Sequence, residues 1–294
     1  MKILIIQEAS RHEENKNFRE CFCLKRAFEK FGHPTEVWGL GHSNFENKID
    51  YEKYDLVFNL ENYDTINWLP DLSKTKTFKV LWSIDAHCRG VYAYDKIFNE
   101  GKYNLLLHST RDYASGKNKI WFPNAYDDSL VYDMNLERDS FIGFCGNYAN
   151  RKSIIDSLEQ EFNIKKDIFV IGNKMVEAIN SYEIHFNKNI LNDINYRSFE
   201  TIGTSTMLIT NYNPQYIKLG FEDSKNCVFY NTKEELFDKL RYLRHNKEVV
   251  KQIAREGHEL SKKHTYEKIQ NTFYYCSNNR PHSLFTYCIN KISP

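Results

Sequence analysis

Four polar side chains of different chemistry stand close together in one segment: Asn192, Asn195, Arg197 and Glu200. Phe199 and Thr201 flank the carboxylate, Gly203 follows, and the chain then runs into the apolar stretch Met207-Leu208-Ile209. That order places a charged, hydrogen-bonding corner at the edge of a buried strand, where α/β proteins hold ligands. A carboxylate there can accept two hydrogen bonds from a ribose diol. Arg197 can pair with a phosphate or orient Glu200. An amphipathic helix with a solvated polar face explains the same residues equally well.

A second patch is Phe141 to Lys152, FIGFCGNYANRK. It reads as a strand, a turn at Gly146 and Asn147, and a helix start carrying Arg151 and Lys152. Free N–H groups at a helix start suit a phosphate, and an arginine adds a two-pronged donor. An ordinary strand-to-helix turn with surface bases has the same composition. The third patch is Trp82 to Arg89, WSIDAHCR, at the carboxyl end of an expected strand. Asp85 could act there as a base, and His87 could share a proton or bind a sugar hydroxyl. The ordinary alternative is a capped strand end with a satisfied histidine. Glu8, Arg11, His12 and Glu13 follow the first strand and could line the same cleft.

Several chemistries lack their residues. There is no G-x-G-x-x-G, no Walker A loop, no H-E-x-x-H and no Cys/His zinc spacing. No two aspartates stand at i and i+2, so the D-x-D metal clamp is missing. Any bound diphosphate is expected to be held without a metal, and no cofactor is expected.

The chain has 294 residues, 41% of them hydrophobic, which suffices for one large or two ordinary cores. Forty basic residues face 39 acidic ones, so nothing global drives the chain to nucleic acid or to anionic membrane. The seven cysteines include no C-x-x-C pair and read as free thiols of a reducing compartment. The N-terminal MKILIIQEAS reads as a first strand rather than a leader, and no apolar stretch approaches the ~20 residues a membrane helix needs. A soluble cytoplasmic protein is expected.

The elements that must position the patches are short, continuous apolar runs with helical stretches between them. Lys2 to Ile6, Thr35 to Trp38, Asp55 to Leu60, Phe78 to Ile84, Asn104 to His108 and Lys119 to Phe122 read as strands, and Asn17 to Phe31 as a helix. A second series runs through Phe141 to Cys145, Asp167 to Ile171, Glu183 to Phe186, Met207 to Thr210 and Cys227 to Tyr230. Thr232-Lys-Glu-Glu235 is a capping box. Continuous rather than alternating runs suit parallel sheets covered on both faces. Two such series around the polar segment Asp127 to Asp139 predict an α/β protein of two Rossmann-like domains, 1–132 and 133–278, with a tail over 279–294 packing back on the first.

At this point the residues resemble a family. Asp193-Ile-Asn195-Tyr-Arg197-Ser-Phe199-Glu200, followed by Met207-Leu-Ile-Thr210, resembles the N-x-R-x-F-E … L-L-L-T core of bacterial and phage GT-B glycosyltransferases of the group-1, spore-maturation-protein type. Phe221-Glu222, Val228-Phe229-Tyr230 and Glu234-Glu235-Leu236 stand in the usual order, and His264-Thr265-Tyr266-Glu267 is similar to the closing H-T-Y-x-x-R. Phe122-Pro123-Asn124-Ala125 and Phe144-Cys-Gly146…Arg151 resemble the linker and the phosphate turn. The likeness covers about residues 120 to 278; the N-terminal half matches only in outline.

The resemblance implies the GT-B architecture, two Rossmann-like domains facing across a cleft. It implies a nucleotide-sugar donor, UDP- or GDP-sugar, on the second domain and an acceptor on the first. Glu200 would hold the donor ribose, with Arg197, Arg151 and the amides near Gly146 facing the diphosphate. Gly146, Asn147, Arg151, Asn192, Asn195, Arg197, Phe199, Glu200 and Thr201 are thus the donor-site candidates, and Asp85 and His87 the catalytic ones. Most relatives of this type retain anomeric configuration; Asp85 or His87 as base would suit inversion. The acceptor could be a saccharide, a protein or a hydroxymethylated base of viral DNA. The last predicts a cationic strip drawn from Lys74, Lys76, Lys79, Arg89, Lys117 and Lys119. Asn192 stands where relatives carry the first of two glutamates, and Ser205 where they carry glycine, a side chain that would narrow the pocket or alter sugar choice. A catalytically silent nucleotide-binding module of the same fold is the alternative those departures suggest.

Overall fold

The apolar runs become two parallel sheets in the computed structural model, which describes residues 1–62 and 68–269. The first lobe is built from β1 (Ile3–Ile6), α1 (Glu20–Lys30), β2 (Thr35–Trp38), β3 (Leu56–Leu60), β4 (Phe78–Ser83), α2 (Ala86–Arg89), α3 (Val91–Glu100), β5 (Leu105–His108) and β6 (Lys119–Trp121). The second comprises β7 (Ser140–Gly146), α4 (Lys152–Phe162), β8 (Lys165–Ile168), α5 (Gly172–Asn180), β9 (Tyr182–Asn187), α6 (Tyr196–Gly203), β10 (Met207–Asn211), α7 (Pro214–Lys218), β11 (Val228–Tyr230), α8 (Lys233–His245) and α9 (Lys247–Ser261).

The strand orders are β2-β1-β3-β4-β5-β6 and β11-β10-β9-β7-β8. Counted from each lobe's own first strand, the orders are 2-1-3-4-5-6 and, read from β8, 2-1-3-4-5, and each reverses direction of growth once, between β1 and β3 and between β7 and β9. Such reversals open a crevice beyond the carboxyl ends of the strands. β1 and β3 are buried at every position, as strands covered on both faces must be. Ile3, Ile5, Phe58 and Trp82 form part of one core and Ile142, Ile184, Ile209 and Leu240 part of another. Burying one such aliphatic side chain contributes roughly 1.5–3 kcal/mol.

Three expectations shift in detail. The helix expected from Asn17 begins only at Glu20, because Glu13–Phe18 forms a 3-10 turn and Arg19 is extended. The strand expected over Asp167 to Ile171 stops at Ile168, where Phe169 turns to φ +57°. The capping box forms in part: Thr232 Oγ1 accepts from Glu235 N at 3.1 Å, while Glu235 reaches the backbone of Asn231.

After α9 the chain returns to the first lobe. Tyr126 and Thr265 form an isolated parallel bridge, and Tyr266 and Ile269 join the first lobe's core. The tail expected over 279–294 lies outside the described residues. No helix among the described residues is long and apolar enough to cross a membrane.

Candidate functional site between the lobes

The carboxyl ends of the two sheets face one another, and the loops that follow the strands meet across the gap. Thr110 Oγ1, after β5, lies 3.4 Å from Asp193 Oδ1, and Arg111 N donates to Gln215 Oε1 at 2.9 Å. Asn124 Nδ2 donates to the Ile194 carbonyl at 3.0 Å.

Arg151 occupies the reversal point of the second sheet. Its Nε donates to the Lys188 carbonyl beyond β9 at 2.8 Å, and its Nη1 to the Asn147 carbonyl beyond β7 at 3.2 Å. The guanidinium therefore spans the crevice mouth. Among the described residues it has no carboxylate within ion-pair distance. Burial lowers its pKa, the neighbouring Arg197 lowers it further, and Tyr230 acts the other way. The Tyr230 hydroxyl is itself buried and, among the described residues, without a hydrogen-bond partner. An uncompensated cation at a strand-end crevice is a place for an anion.

Arg197 and Glu200 lie on α6 and are ion-paired one turn apart. Arg197 Nε also donates to the Cys145 carbonyl at 3.1 Å, which ties α6 to the end of β7 next to Gly146. The Glu200 side chain is 13% exposed, and with Arg197 it lines a cavity of about 160 Å³ whose other wall includes Asn15, Phe18 and Glu20 of the first lobe. Glu200 therefore points into the gap between lobes.

The remaining donor candidates divide. Gly146 ends β7 and Asn147 caps the following turn, its Oδ1 accepting from Ala149 N at 3.0 Å. Asn192 reaches across the cleft, donating to Asp112 Oδ2 at 2.8 Å. Asn195 is the N-cap residue of α6, and its amide is spent on a reciprocal pair with Asn187 at 3.0 and 3.2 Å. Phe199 is fully buried against Phe221 and His264, and Thr201 is fully buried against His185, so both support α6 from behind and face no ligand. These two corrections have one cause: α6 is amphipathic, and its spacing turns them toward the core. Ser205 is a further correction. It follows α6 at φ +55°, in the left-handed region that suits the glycine of relatives, and lines a cavity behind the second lobe with Arg138, so it does not touch the cleft.

In the first lobe, Asp85 precedes α2, and the backbone N–H groups of Ile84 and Asp85 donate to Glu61 Oε2 at 2.6 and 2.7 Å. Glu61 is buried, with Arg89 Nε 3.0 Å from its other oxygen. Asp85 is exposed at the carboxyl end of β4, yet burial of its carboxyl group raises its pKa, with His87 and Arg89 opposing. Glu8 is buried and its N–H donates to Asn62 Oδ1 at 2.6 Å, whereas Arg11, His12 and Glu13 are exposed.

Sequence reasoning passed over Asp193. It is 5% exposed, and its Oδ1 lies 3.9 Å from His87 Nδ1 of the other lobe. Burial, then the charge of Asp85, pushes its pKa up to about 7. Its position inside the DINYRSFE string was the available signal, although no spacing rule links it to His87. Among the described residues no group of three or more metal-ligating side chains converges. Of the bases expected to form a cationic strip, Lys79 is buried with Nζ on the Leu72 and Thr75 carbonyls and Lys119 pairs with Asp95, while Lys74, Lys76, Lys117 and the Glu61-paired Arg89 are exposed.

Comparison with known proteins fits this geometry. Residues 141–273 match a family model described as glycosyl transferase-like. No curated protein matches the sequence. Solved structures share the fold at low identity. A DNA-modifying β-glucosyltransferase, solved with and without uridine diphosphoglucose, superposes with a TM-score of 0.67 at 12% identity, covering 95% of this chain and 100% of its own. A sucrose-phosphate synthase from Thermosynechococcus elongatus gives 0.63 at 10% identity over 99% and 100% of the two chains. An Anabaena HepE structure in complex with UDP gives 0.61 at 10% identity over 93% and 98%.

Proposed function

We infer that this chain, a glycosyltransferase of the GT-B type by its fold and by the family domain over residues 141–273, moves a hexose from a UDP- or GDP-sugar to a hydroxyl acceptor. The observation that carries the reading is Arg151, a guanidinium with no carboxylate partner among the described residues, laid across the reversal point of the second sheet, with the Arg197–Glu200 pair on the neighbouring helix. The diphosphate would lie against Arg151 and the turn at Gly146 and Asn147. The ribose would lie on Glu200, and the acceptor against the first lobe near Asp85 and His87.

The leaving diphosphate gains charge as the glycosidic bond breaks. Fixed cations and amides that meet that charge lower the barrier and do not reorganise during the step. Arginine supplies this without a divalent ion, which agrees with the missing D-x-D. Metal-independent transfer with retention is the reading the resemblance supports. Solved relatives bind UDP, glucose and DNA in their own complexes. For this chain, Lys74, Lys76, Arg89 and Lys117 are exposed, so a modified DNA base stands beside a saccharide or protein hydroxyl as an acceptor class, and salt-dependent duplex binding separates them.

The test is a thermal-shift and calorimetric screen with UDP, GDP and their sugars, followed by NMR of the product's anomeric configuration. A ligand bound only by the native state raises stability by about 2.7 kcal/mol at 100-fold excess over its Kd. No binding by any sugar nucleotide would overturn the reading. Binding without turnover on any acceptor would identify the silent module.

A further inference from the structure

We propose that Asp193 of the donor lobe is a positioning residue for His87 of the acceptor lobe: one proton held between Asp193 Oδ1 and His87 Nδ1 fixes the imidazole, so that His87 and Asp85 are presented to the acceptor hydroxyl only while the lobes are together. The proposal rests on the glycosyltransferase reading above and assigns a role within that site.

The geometry is that of a dyad split between two bodies. Both side chains are buried, 6% exposed for His87 and 8% for Asp193, and their facing atoms are 3.9 Å apart. His87 Nδ1 is buried and, among the described residues, makes no hydrogen bond. A buried, unpaired ring nitrogen carries a cost unless a partner is near, and Asp193 is the carboxylate in front of it. Thr110 Oγ1, 3.4 Å away, steadies the same oxygen. Thr110 and His87 both belong to the first lobe, so these two contacts exist only across the cleft, beside a hydrogen bond from the Ile194 backbone N–H within the second lobe. At 3.9 Å the facing atoms stand just beyond hydrogen-bond length, and catalytic contacts commonly tighten when substrate binds. Among the described residues His87 Nε2 has no protein partner, which leaves it for a hydroxyl.

The charged surroundings favour a shared proton. Asp85 and Cys88 share the turn with His87, Glu61 and Arg89 lie beside them, and Glu20 approaches from α1. Several carboxylates around one histidine disfavour another free negative charge on Asp193. Burial and the Asp85 charge keep Asp193 protonated up to about pH 7. Burial alone lowers the His87 pKa, and Asp85 opposes it. Asp85, on the same turn as His87, acts on both groups, raising Asp193 and opposing the burial of the imidazole.

The experiment compares wild type, Asp193→Asn and Asp193→Glu. UDP and GDP calorimetry comes first: absence of binding in wild type counts against the functional reading and leaves this pair to be judged by NMR. The imidazole NMR titration of His87, assigned with His87→Gln, is expected to fall in midpoint by about one pH unit or more in Asp193→Asn. In the same variant kcat should drop about tenfold or more with donor KM held, as expected for loss of acceptor positioning. The acid limb of the rate profile should move with the imidazole, and Asp193→Glu should recover part of both. An unmoved His87 midpoint in a folded Asp193→Asn protein overturns the proposal. If that variant does not fold, the carboxyl titration of Asp193 in His87→Gln serves instead, and an unchanged Asp193 midpoint there overturns it equally.

Discussion

Arg151 donates from Nε to the carbonyl of Lys188 at 2.8 Å, and this one bond stretches a cation from the end of β7 to the end of β9. The guanidinium has carbonyl acceptors on the protein side and, among the described residues, no carboxylate. Its charge is thus held in place but not neutralised, the state expected of a site awaiting an anion.

Arg151→Met keeps most of the side chain's volume and removes the charge. It should weaken UDP or GDP binding by about 10- to 100-fold, the loss of one or two charge-assisted hydrogen bonds. Uridine or guanosine, which lack the diphosphate, should bind within about twofold of wild type on the same ground. Calorimetry with the nucleotide and nucleoside pair checks it, and equal losses for both would remove Arg151 from the phosphate site.

Glu200 tests the other end of the donor. In Glu200→Ala the Arg197 guanidinium loses its carboxylate partner, so the variant loses stability as well as ribose contacts. Glu200→Gln keeps the shape and a hydrogen bond to Arg197. Its Tm should fall less than that of the alanine variant, while nucleotide affinity falls about tenfold or more through the weaker ribose hydrogen bonds. Deoxyribose nucleotides discriminate further: wild type should prefer the ribo form, and Glu200→Gln should lose most of that preference. An unchanged preference would put the ribose elsewhere.

The strands were legible because a parallel sheet covered on both faces needs continuous apolar runs, and Asp55 to Leu60 and Phe78 to Ile84 supplied them almost to the residue. The helices α2, α3 and α5 were less so, because α2 spans only Ala86–Arg89 and α5 opens at a glycine three residues after the irregular Phe169. Arg151, Glu200 and Asp85 could be nominated from strand-end position alone. Phe199 and Thr201 could not be separated from them without the orientation of α6. Asp193 was beyond reach for a stronger reason. Its partner His87 is on the other lobe, and the contact depends on how two separate cores are set against each other.

Buried histidines set the acid limit of stability. Burial holds His185 down to about 3, and His108 and His264 down to about 4. The unfolded chain takes up these protons near 6.5. The neutral rings therefore contribute stability that is fully present above about pH 6.5 and is lost as pH falls toward about 4, at up to about 1.4 kcal/mol per group per pH unit. Asp193 has the opposite sign: its contribution is present in acid and is lost as pH rises through about 7. The stability maximum is expected near about pH 6.5, with Tm falling steeply below pH 6. Melting curves across pH 4–8 check this. His264→Gln should make the acid slope shallower, and a flat profile down to pH 4.5 would show that these rings are hydrated in the native state.

Arg138 provides a stability test separate from the cleft. Its Nη1 donates to the carbonyls of Asn180 and Tyr182 and to Thr206 Oγ1, at 3.1, 2.7 and 2.6 Å. Its Nη2 donates to the carbonyls of Thr204 and Ser205, both at 3.0 Å. One guanidinium thereby satisfies groups at the carboxyl ends of α5 and α6, where helices leave acceptors unpaired. Each bond contributes about 0.5–1.5 kcal/mol net, and water entering the cavity behind the second lobe can replace some of them. Arg138→Met should therefore cost about 3 kcal/mol, seen as a fall of about 6–12 °C in Tm. Arg138→Lys should restore little, since one ammonium cannot reach acceptors grouped around two separate nitrogens. Nucleotide affinity should stay within about twofold below the melting range, because α6 meets the cleft at its other end. A large loss of affinity with Tm unchanged would mean that the guanidinium governs the orientation of α6 rather than its stability.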